Sequence, residues 1–366
     1  MQKKHFAQQL RKLAAVGLVA TSTLVGCSED KTVSTTKTTL KVMTRNVYLG
    51  GDLTVLLGAN SATELPAAAG KLWGMVQQTQ FTERAKKLAD EIAQNQPDVV
   101  GLQEITLYRT QTPSDFVRGN TAVNAATVDT DFLAILQSEL SKRGLKYSVA
   151  VLSENADQEL PVTTNGTAFF DVRFTDRGVV LAKETVKVSN PTTKMYDAKF
   201  ELNLAGGAAK AQFMRAYQMA DMELNGVKFR FVNTHLEAFL APAQEAQAKE
   251  LLTVLDKVTL PIVVTGDFNS PADKTTPATY SLMTAKFTDA FKQAKPNDNG
   301  YTCCQDEDLK NAASKLNQRI DFIFFKGNIK ATDAVVVGKE AATDKTSTGL
   351  WTSDHAGVVA TLEVQQ

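Results

Sequence analysis

Histidine, cysteine and tryptophan are scarce in this chain, with three, three and two copies among 366 residues. Two of the three cysteines, Cys303 and Cys304, are adjacent, and no spaced Cys/His partners accompany them. That argues against a multi-bridge disulfide scaffold and against a structural zinc site. In an oxidising compartment the pair can close as a vicinal disulfide, bridge two molecules or stay free. The plainest reading is a loop pair with no catalytic role. No apolar run of eighteen residues occurs, so no segment reads as a membrane-spanning helix. No charge of either sign dominates, since 40 basic residues balance 40 acidic ones. A broad basic footprint for nucleic acid is therefore absent, although a local patch is compatible with this balance. The Gly-x-x-x-x-Gly-Lys loop, the dinucleotide glycine fingerprint and the Gly-x-Ser-x-Gly elbow are missing too. Nucleotide-fuelled, dinucleotide-dependent and serine-esterase chemistry lose their support.

The start of the chain reads as an export signal. Lys3, Lys4, Arg11 and Lys12 give a basic beginning, and Leu13 to Val25 is apolar but too short for a stop-transfer helix. Leu24-Val25-Gly26-Cys27 has the form of a bacterial lipobox, so residues 1–26 are expected to be a lipoprotein signal peptide and Cys27 the lipidated residue. Residues 27–39 are polar, rich in Ser and Thr, and read as a tether that reaches at most about 40 Å. A lipid on Cys27 would attach the protein to a membrane without spanning it. The expected location is the cell envelope, in the outer membrane or periplasm if the source is Gram-negative. Removing the leader takes away four basic residues and no acidic ones, which leaves 36 against 40, a net charge of −4.

Residues 40–366 alternate between elements without a long linker and are expected to form one domain, a monomer. Residues 40–47 read as a first strand. A helix over 82–94 carries Ala85, Leu88, Ala89 and Ile92 on one face, and Pro97 stops it before a buried strand over 98–103. A second helix covers 132–143. Strands follow over 177–182, 212–224 and 227–234, the last two flanking the hairpin dipeptide Asn225-Gly226. Then come a helix over 242–255, a strand opened by Pro261, and strands over 319–325, 334–337 and 356–364. Residues 111–131 read as a polar, irregular surface insertion. This order predicts an α/β protein with mixed sheets and helices outside.

Polar residues gather at the ends of these apolar strands. His235 lies in Phe231-Val232-Asn233-Thr234-His235-Leu236-Glu237, and His355 follows Ser353-Asp354. Between them, Ile262-Val263-Val264-Thr265 leads into Gly266-Asp267-Phe268-Asn269. A protein that spends histidine so sparingly, each time beside Asp, Asn or Glu, points to proton transfer or phosphate contact. Glu104, Asp267, Asn269, Asp321 and Asp354 add carboxylates and a carboxamide, a donor set suited to a hard cation such as Mg²⁺, with Mn²⁺ or Ca²⁺ as alternatives. Metal-assisted hydrolysis of a phosphate ester uses all of these groups. Glu237 and Asp289 read as solvated.

The chain resembles the endonuclease/exonuclease/phosphatase superfamily. The resemblance is carried by Met43-Thr44-Arg45-Asn46, Val100-Gly101-Leu102-Gln103-Glu104, Asn233-Thr234-His235-Leu236, Gly266-Asp267-Phe268-Asn269, Arg319-Ile320-Asp321-Phe322-Ile323 and Ser353-Asp354-His355. It implies a four-layer α/β sandwich, two mixed β-sheets packed face to face with helices outside. It also implies roles. Glu104 would be the principal metal ligand, with Asp354 near the metal and Asn46 contacting phosphate or a metal-bound water. Asp267 would orient or deprotonate the attacking water, and Asn269 would donate to the phosphate. His235 would protonate the leaving oxygen, His355 would stabilise the phosphate, and Asp321 would hold the His355 ring. Arg177 and Asp176 would contact substrate. Tyr48 stands where the exonuclease III-type branch carries an acidic residue, and His235 where that branch carries tyrosine. Both departures lean toward the deoxyribonuclease I, phosphatase and sphingomyelinase branches. Three functions stay open: an envelope-anchored phosphodiesterase acting on nucleic acid or a lipid headgroup, a phosphomonoesterase of inositol-phosphate type, and a binding lipoprotein that has lost catalysis.

Overall fold

The computed structural model describes residues 36–207 and 209–365, with Thr35–Gln366 forming one compact unit. The signal peptide over 1–26, Cys27 and the tether up to residue 35 lie outside the described residues. The first strand, Lys37–Asn46, begins three residues earlier than the apolar pattern predicts, because it pairs antiparallel with the last strand, Gly357–Gln365, from Lys37 opposite Gln365 onward.

Two large sheets carry the fold. In the first, the strand order is Ile329–Val337, Gly357–Gln365, Lys37–Asn46, Val99–Gln103, Phe170–Lys183, Leu107–Gln111 and Thr127–Asp131, with Tyr147–Val162 paired along Phe170–Lys183. In the second it is Thr288–Asp289, Asp321–Lys326, Ile262–Asp267, Val227–His235, Ala216–Leu224 and Lys187–Met195. Both sheets are mixed, because Lys37–Asn46 runs parallel to Val99–Gln103 and Val227–His235 parallel to Ile262–Asp267.

Period-2 alternation divides each strand between two layers. Leu40, Val42, Phe229, Phe231, Val263, Ile323 and Val358 meet in the core between the sheets. The alternate residues along each strand point outward instead. Met43, Val100 and Leu102 pack under the helices Leu65–Gln78, Phe81–Asn95 and Phe132–Lys142. Val232, Val264, Phe322 and Phe324 pack under Ala241–Leu255. The result is helix, sheet, sheet, helix. Among the described residues no helix is long and apolar enough to cross a membrane.

The segment over 111–131 is less irregular than its composition predicts. Leu107–Gln111 pairs with Thr127–Asp131, Tyr108 opposite Thr130, and Asp131 caps the next helix by accepting from the N–H groups of Leu133 and Ala134. Only its middle is loop.

Candidate active site

The same alternation that builds the inter-sheet core aims the polar strand ends into one cleft. Asn233 and His235 share a face with Phe229 and Phe231, Thr265 and Asp267 with Val263, and Asp321 with Ile323. Strand register then lines up three of them, since His235 sits opposite Asp267 and Asp267 opposite Asp321. From the first sheet, Asn46 ends its strand beside Gln103, which leads into Glu104. His355 stands just before the last strand. The resulting cleft, of about 450 Å³, is lined by Glu104, Asp176, Arg215, His235, Asp267, Asn269, Asp354 and His355, among others.

A buried polar layer separates this cleft from the apolar core. Gln103 Nε2 donates to Asn233 Oδ1 (2.6 Å) and Thr44 Oγ1 (3.2 Å), and Asn233 Nδ2 donates to Gln218 Oε1 (2.7 Å) and Leu102 O (3.0 Å). Gln218 passes the chain on to Ser153 Oγ at 2.6 Å. Gly101 makes room for it, because a Cβ there would lie 2.4 Å from both Asn233 Oδ1 and Thr265 Oγ1. Two buried arginines brace the outer side. Arg84 donates to the carbonyls of Thr79, Val47, Tyr48 and Thr352, fixing the turn after Asn46. Arg45 pairs with Glu91 at 3.0 Å and donates to the carbonyl of His355.

Asp267 is the hub. Its Oδ1 accepts from Asn269 N at 2.9 Å and its Oδ2 from Asn46 Nδ2 at 3.0 Å, with His235 Nε2 at 3.5 Å and His355 Nε2 at 3.7 Å from the same oxygen. Asn46 Nδ2 also reaches Glu104 Oε1 at 3.1 Å, while Leu49 N donates to Glu104 Oε2 at 2.7 Å. Tyr48, Glu104 and Asn269 all take positive φ, at 62°, 58° and 49°. That conformation costs a non-glycine residue about 1 kcal/mol or more, and here it turns the chain sharply at the cleft mouth.

The two histidines differ in charge. His355 Nδ1 lies 2.9 Å from Asp321 Oδ2. Burial alone would depress its pKa, but Asp321, Asp354 and Asp267 outweigh burial and hold it well above the ordinary value. His355 is an imidazolium with a proton on each nitrogen. His235 is held well below the ordinary value by burial and by Arg215 and His355. Both ring nitrogens of His235 face donors, Arg215 Nη1 at 3.1 Å from Nδ1 and Asn269 Nδ2 at 3.1 Å from Nε2, and Nε2 also lies 3.5 Å from Asp267 Oδ2. Burial, then Asp321, pushes the Asp267 carboxyl up to about 6. Burial, then Asp354 and Asp176, pushes Glu104 up to about 7.

Several expectations are corrected. Arg177 does not reach substrate. It is 5% exposed, its guanidinium donates to the carbonyls of Ile105 (2.8 Å) and Thr106 (3.2 Å), and it pairs with Asp131. Asn46 is turned away from metal ligation, because its Oδ1 accepts from Tyr48 N at 2.9 Å and only its N–H groups face the carboxylates. Glu237 is fully buried, accepting from the N–H groups of Ala238 (2.9 Å) and Phe239 (2.8 Å) with Arg215 Nε at 3.8 Å from its other oxygen. Asp289 is buried too, paired with Arg319. Cys303 and Cys304 lie side by side in a loop, and the backbone of Cys303 bridges to Gln318 and His355. Asp176, expected beside substrate, lines the cleft, and so does Arg215, which no sequence expectation placed there. Arg215 directly precedes the strand Ala216–Leu224, and its contact with His235 comes from strand pairing alone.

The cleft fits a divalent cation. Glu104, Asp354 and Asp176 offer hard oxygen donors, the last two close enough to raise the pKa of Glu104. Asp176 Oδ1 is buried without a hydrogen-bond partner, although Oδ2 accepts from Asn155 at 3.0 Å. A buried carboxylate oxygen left so is balanced when a cation stands beside it.

A four-layer α/β sandwich whose inter-sheet cleft gathers carboxylates, carboxamides and two unlike imidazoles is the architecture of a phosphoesterase. The profile described as Endonuclease/Exonuclease/phosphatase family matches residues 75–355. The chain belongs to that family, whose members are divalent-metal-dependent, and is a hydrolase of phosphate esters. Among solved structures it is similar to a family protein from Bacteroides thetaiotaomicron, with TM-score 0.56, 14% identity and coverage of 90% of this chain and 99% of that one. It is similar to D. rerio TDP2 complexed with single strand DNA product, at 0.53 and 18%, covering 89% and 99% of the two chains. It is similar too to a B. thetaiotaomicron mannosyl-6-phosphatase, at 0.51 and 16%, covering 88% and 99%. No curated protein matches it.

Proposed function

We propose that the protein is a Mg²⁺-dependent phosphodiesterase attached to the cell envelope through Cys27. The observation that carries the reading is the arrangement around Asp267, a raised-pKa carboxylate flanked by one charged and one neutral histidine. Glu104, with Asp354 and Asp176 beside it, would hold the cation, which when bound would supply positive charge to the anionic phosphate. Asp267 takes a proton from the attacking water, its pKa near 6 making it a competent base near neutral pH. Asn46 and Asn269 present side-chain N–H groups toward the same centre, where they donate to phosphate oxygens as negative charge develops.

The charge states exchange the roles first expected of the histidines. His355 holds a proton it can give, so it is the better candidate to protonate the departing oxygen. Neutral His235, flanked by Arg215 and Asn269, positions their donors beside the phosphate. Asp321 maintains the charge on His355, and Arg215 helps keep His235 neutral.

Two alcohol groups flank the phosphorus of a diester, and the cleft opens toward an apolar neighbour that would suit one of them. Leu53, Ala156 and Phe174 line both the cleft and an adjoining apolar pocket of about 80 Å³. That continuity favours a diester with an apolar substituent, such as a phospholipid headgroup ester, over nucleic acid. The test is hydrolysis by purified protein with Mg²⁺, then with EDTA, of a synthetic diester, its monoester, DNA and sphingomyelin. Faster turnover of the monoester would overturn the diesterase reading in favour of a phosphatase, and no turnover of any would favour the binding lipoprotein. For the anchor, Cys27→Ala should release the protein from the membrane fraction while purified activity is unchanged. A variant that stays with the membranes would refute the anchor.

A further inference from the structure

The loop between Leu107–Gln111 and Thr127–Asp131 takes no part in the reaction, yet two buried carboxylates from neighbouring strands clamp both its ends. Asp171 accepts from the N–H groups of Asp115 (2.9 Å) and Phe116 (3.4 Å) and from the Ser114 hydroxyl. Glu159 Oε2 accepts from the N–H groups of Asn124 (2.7 Å) and Ala125 (2.8 Å). Asp115, on the loop itself, takes the amides of Asn120 (2.8 Å) and Asn124 (2.9 Å) on Oδ2.

These bonds leave one oxygen of Asp115 and one of Glu159 unaccounted for. Asp115 Oδ1 and Glu159 Oε1 are shut off from water and have no hydrogen-bond partner. Glu159 is only 6% exposed and Asp171 fully buried. An oxygen of each of the three carboxylates lies within 4.8 Å of the others. Three buried or half-buried carboxylates repel one another, and two orphaned oxygens deepen that cost unless a positive charge stands among them.

We propose that Asp115, Glu159 and Asp171 bind a Ca²⁺ ion that fastens this loop to the first sheet. None of the three lines the catalytic cleft, so this ion is separate from the one the reaction uses. Calcium rather than magnesium follows from the donors, three carboxylates set irregularly on a loop and two strands. Ca²⁺ accepts such irregular coordination, with loop carbonyls completing the shell, whereas Mg²⁺ demands a near-ideal octahedron and holds its waters.

The test removes the cleft's principal carboxylate first, so that the outcome does not depend on the phosphodiesterase reading. Glu104→Gln protein, freed of metal with EDTA, should bind one Ca²⁺ per chain on calorimetric titration, with a Kd at or below about a millimolar. Saturating Ca²⁺ should raise its Tm by roughly 3 °C or more and slow proteolysis within residues 112–126. Adding Asp115→Asn, or separately Glu159→Gln, should abolish both the titration and the Tm increment. Asp115→Asn keeps the loop's backbone clamps, so a protein that folds by circular dichroism is expected even if Glu159→Gln does not yield one. Failure of the Glu104→Gln protein to bind Ca²⁺ would overturn the proposal, as would unchanged binding in the Asp115→Asn variant. An equal Tm increment from Mg²⁺ at the same concentration would overturn the choice of ion.

Discussion

Replacing Asp321 with Asn keeps the shape of the side chain and leaves an acceptor beside His355 Nδ1, now 2.9 Å away, but removes a negative charge. Two titrations should move. His355 loses the first of the charges that lift its pKa against burial, so its pKa falls. Asp267 stands directly across the strand pair, and Asp321 is the main charge raising its carboxyl toward 6, so its pKa falls as well. Activity requires Asp267 ionised and His355 protonated. The wild-type rate should therefore climb as pH passes about 6 and decline only where His355 finally loses its proton, well above the ordinary histidine range. In Asp321→Asn both limbs should shift toward acid, and the alkaline decline should reach neutral pH. A unit charge pair about 4 Å apart is worth roughly 4 kcal/mol at an effective dielectric of 20, and the amide dipole recovers part of that. If some 2.7 kcal/mol is lost from the transition state, turnover falls about a hundredfold. The assay is kcat/KM against pH at saturating Mg²⁺, with circular dichroism confirming the fold. A variant with the wild-type rate and unmoved limbs would refute the pairing argument.

Other substitutions probe the neighbouring parts. Glu104→Gln should raise the Mg²⁺ concentration for half-maximal activity by at least about tenfold, with excess Mg²⁺ restoring part of the rate; an unchanged metal dependence in a metal titration would remove Glu104 from the cation site. Arg215→Ala removes the donor at His235 Nδ1 and strands buried Glu237, so kcat should drop by about tenfold or more while KM for Mg²⁺ holds; a wild-type rate in Arg215→Lys would argue that charge, not the guanidinium contact, is the contribution. Gly101→Ala forces a methyl against Asn233 and Thr265 and should cost about 2–4 kcal/mol in urea unfolding. A loss under 1 kcal/mol there would mean the amide layer can shift aside.

Much of this was legible in the sequence, for one reason. Phe229, Phe231, Asn233 and His235 share a parity, and the same parity runs through Val263, Thr265 and Asp267 and through Ile323 and Asp321, so strand ends that look alike in sequence point to one place. The carboxylates and histidines fell out of that pattern. What stayed hidden depends on contacts between distant segments. Arg215 sits beside no motif and meets His235 only through strand pairing. Glu237 follows a motif residue directly, but nothing in sequence tells a buried glutamate from a solvated one. The helix Leu65–Gln78 was missed because Gly70 and Gly74 interrupt its pattern. Gly70 has a reason only the fold supplies, since a Cβ there would stand 2.1 Å from Thr163 O.

The cleft is assembled from two half-sites on separate sheets, with Asn46, Glu104 and His355 on one and His235, Asp267 and Asp321 on the other. Hydrogen bonds from Asn46 to Asp267 and between His355 and Asp321 join the halves. The thickness of the apolar filling below sets the gap those bonds must span, so Val42, Phe231 and Val263 act as a spacer gauge for the chemistry above them. A core substitution that swells or thins this filling would misalign nucleophile and acid by a fraction of an ångström. Catalysis would then register the change before stability did, and natural variation in the core becomes a way to tune turnover without touching a single catalytic group.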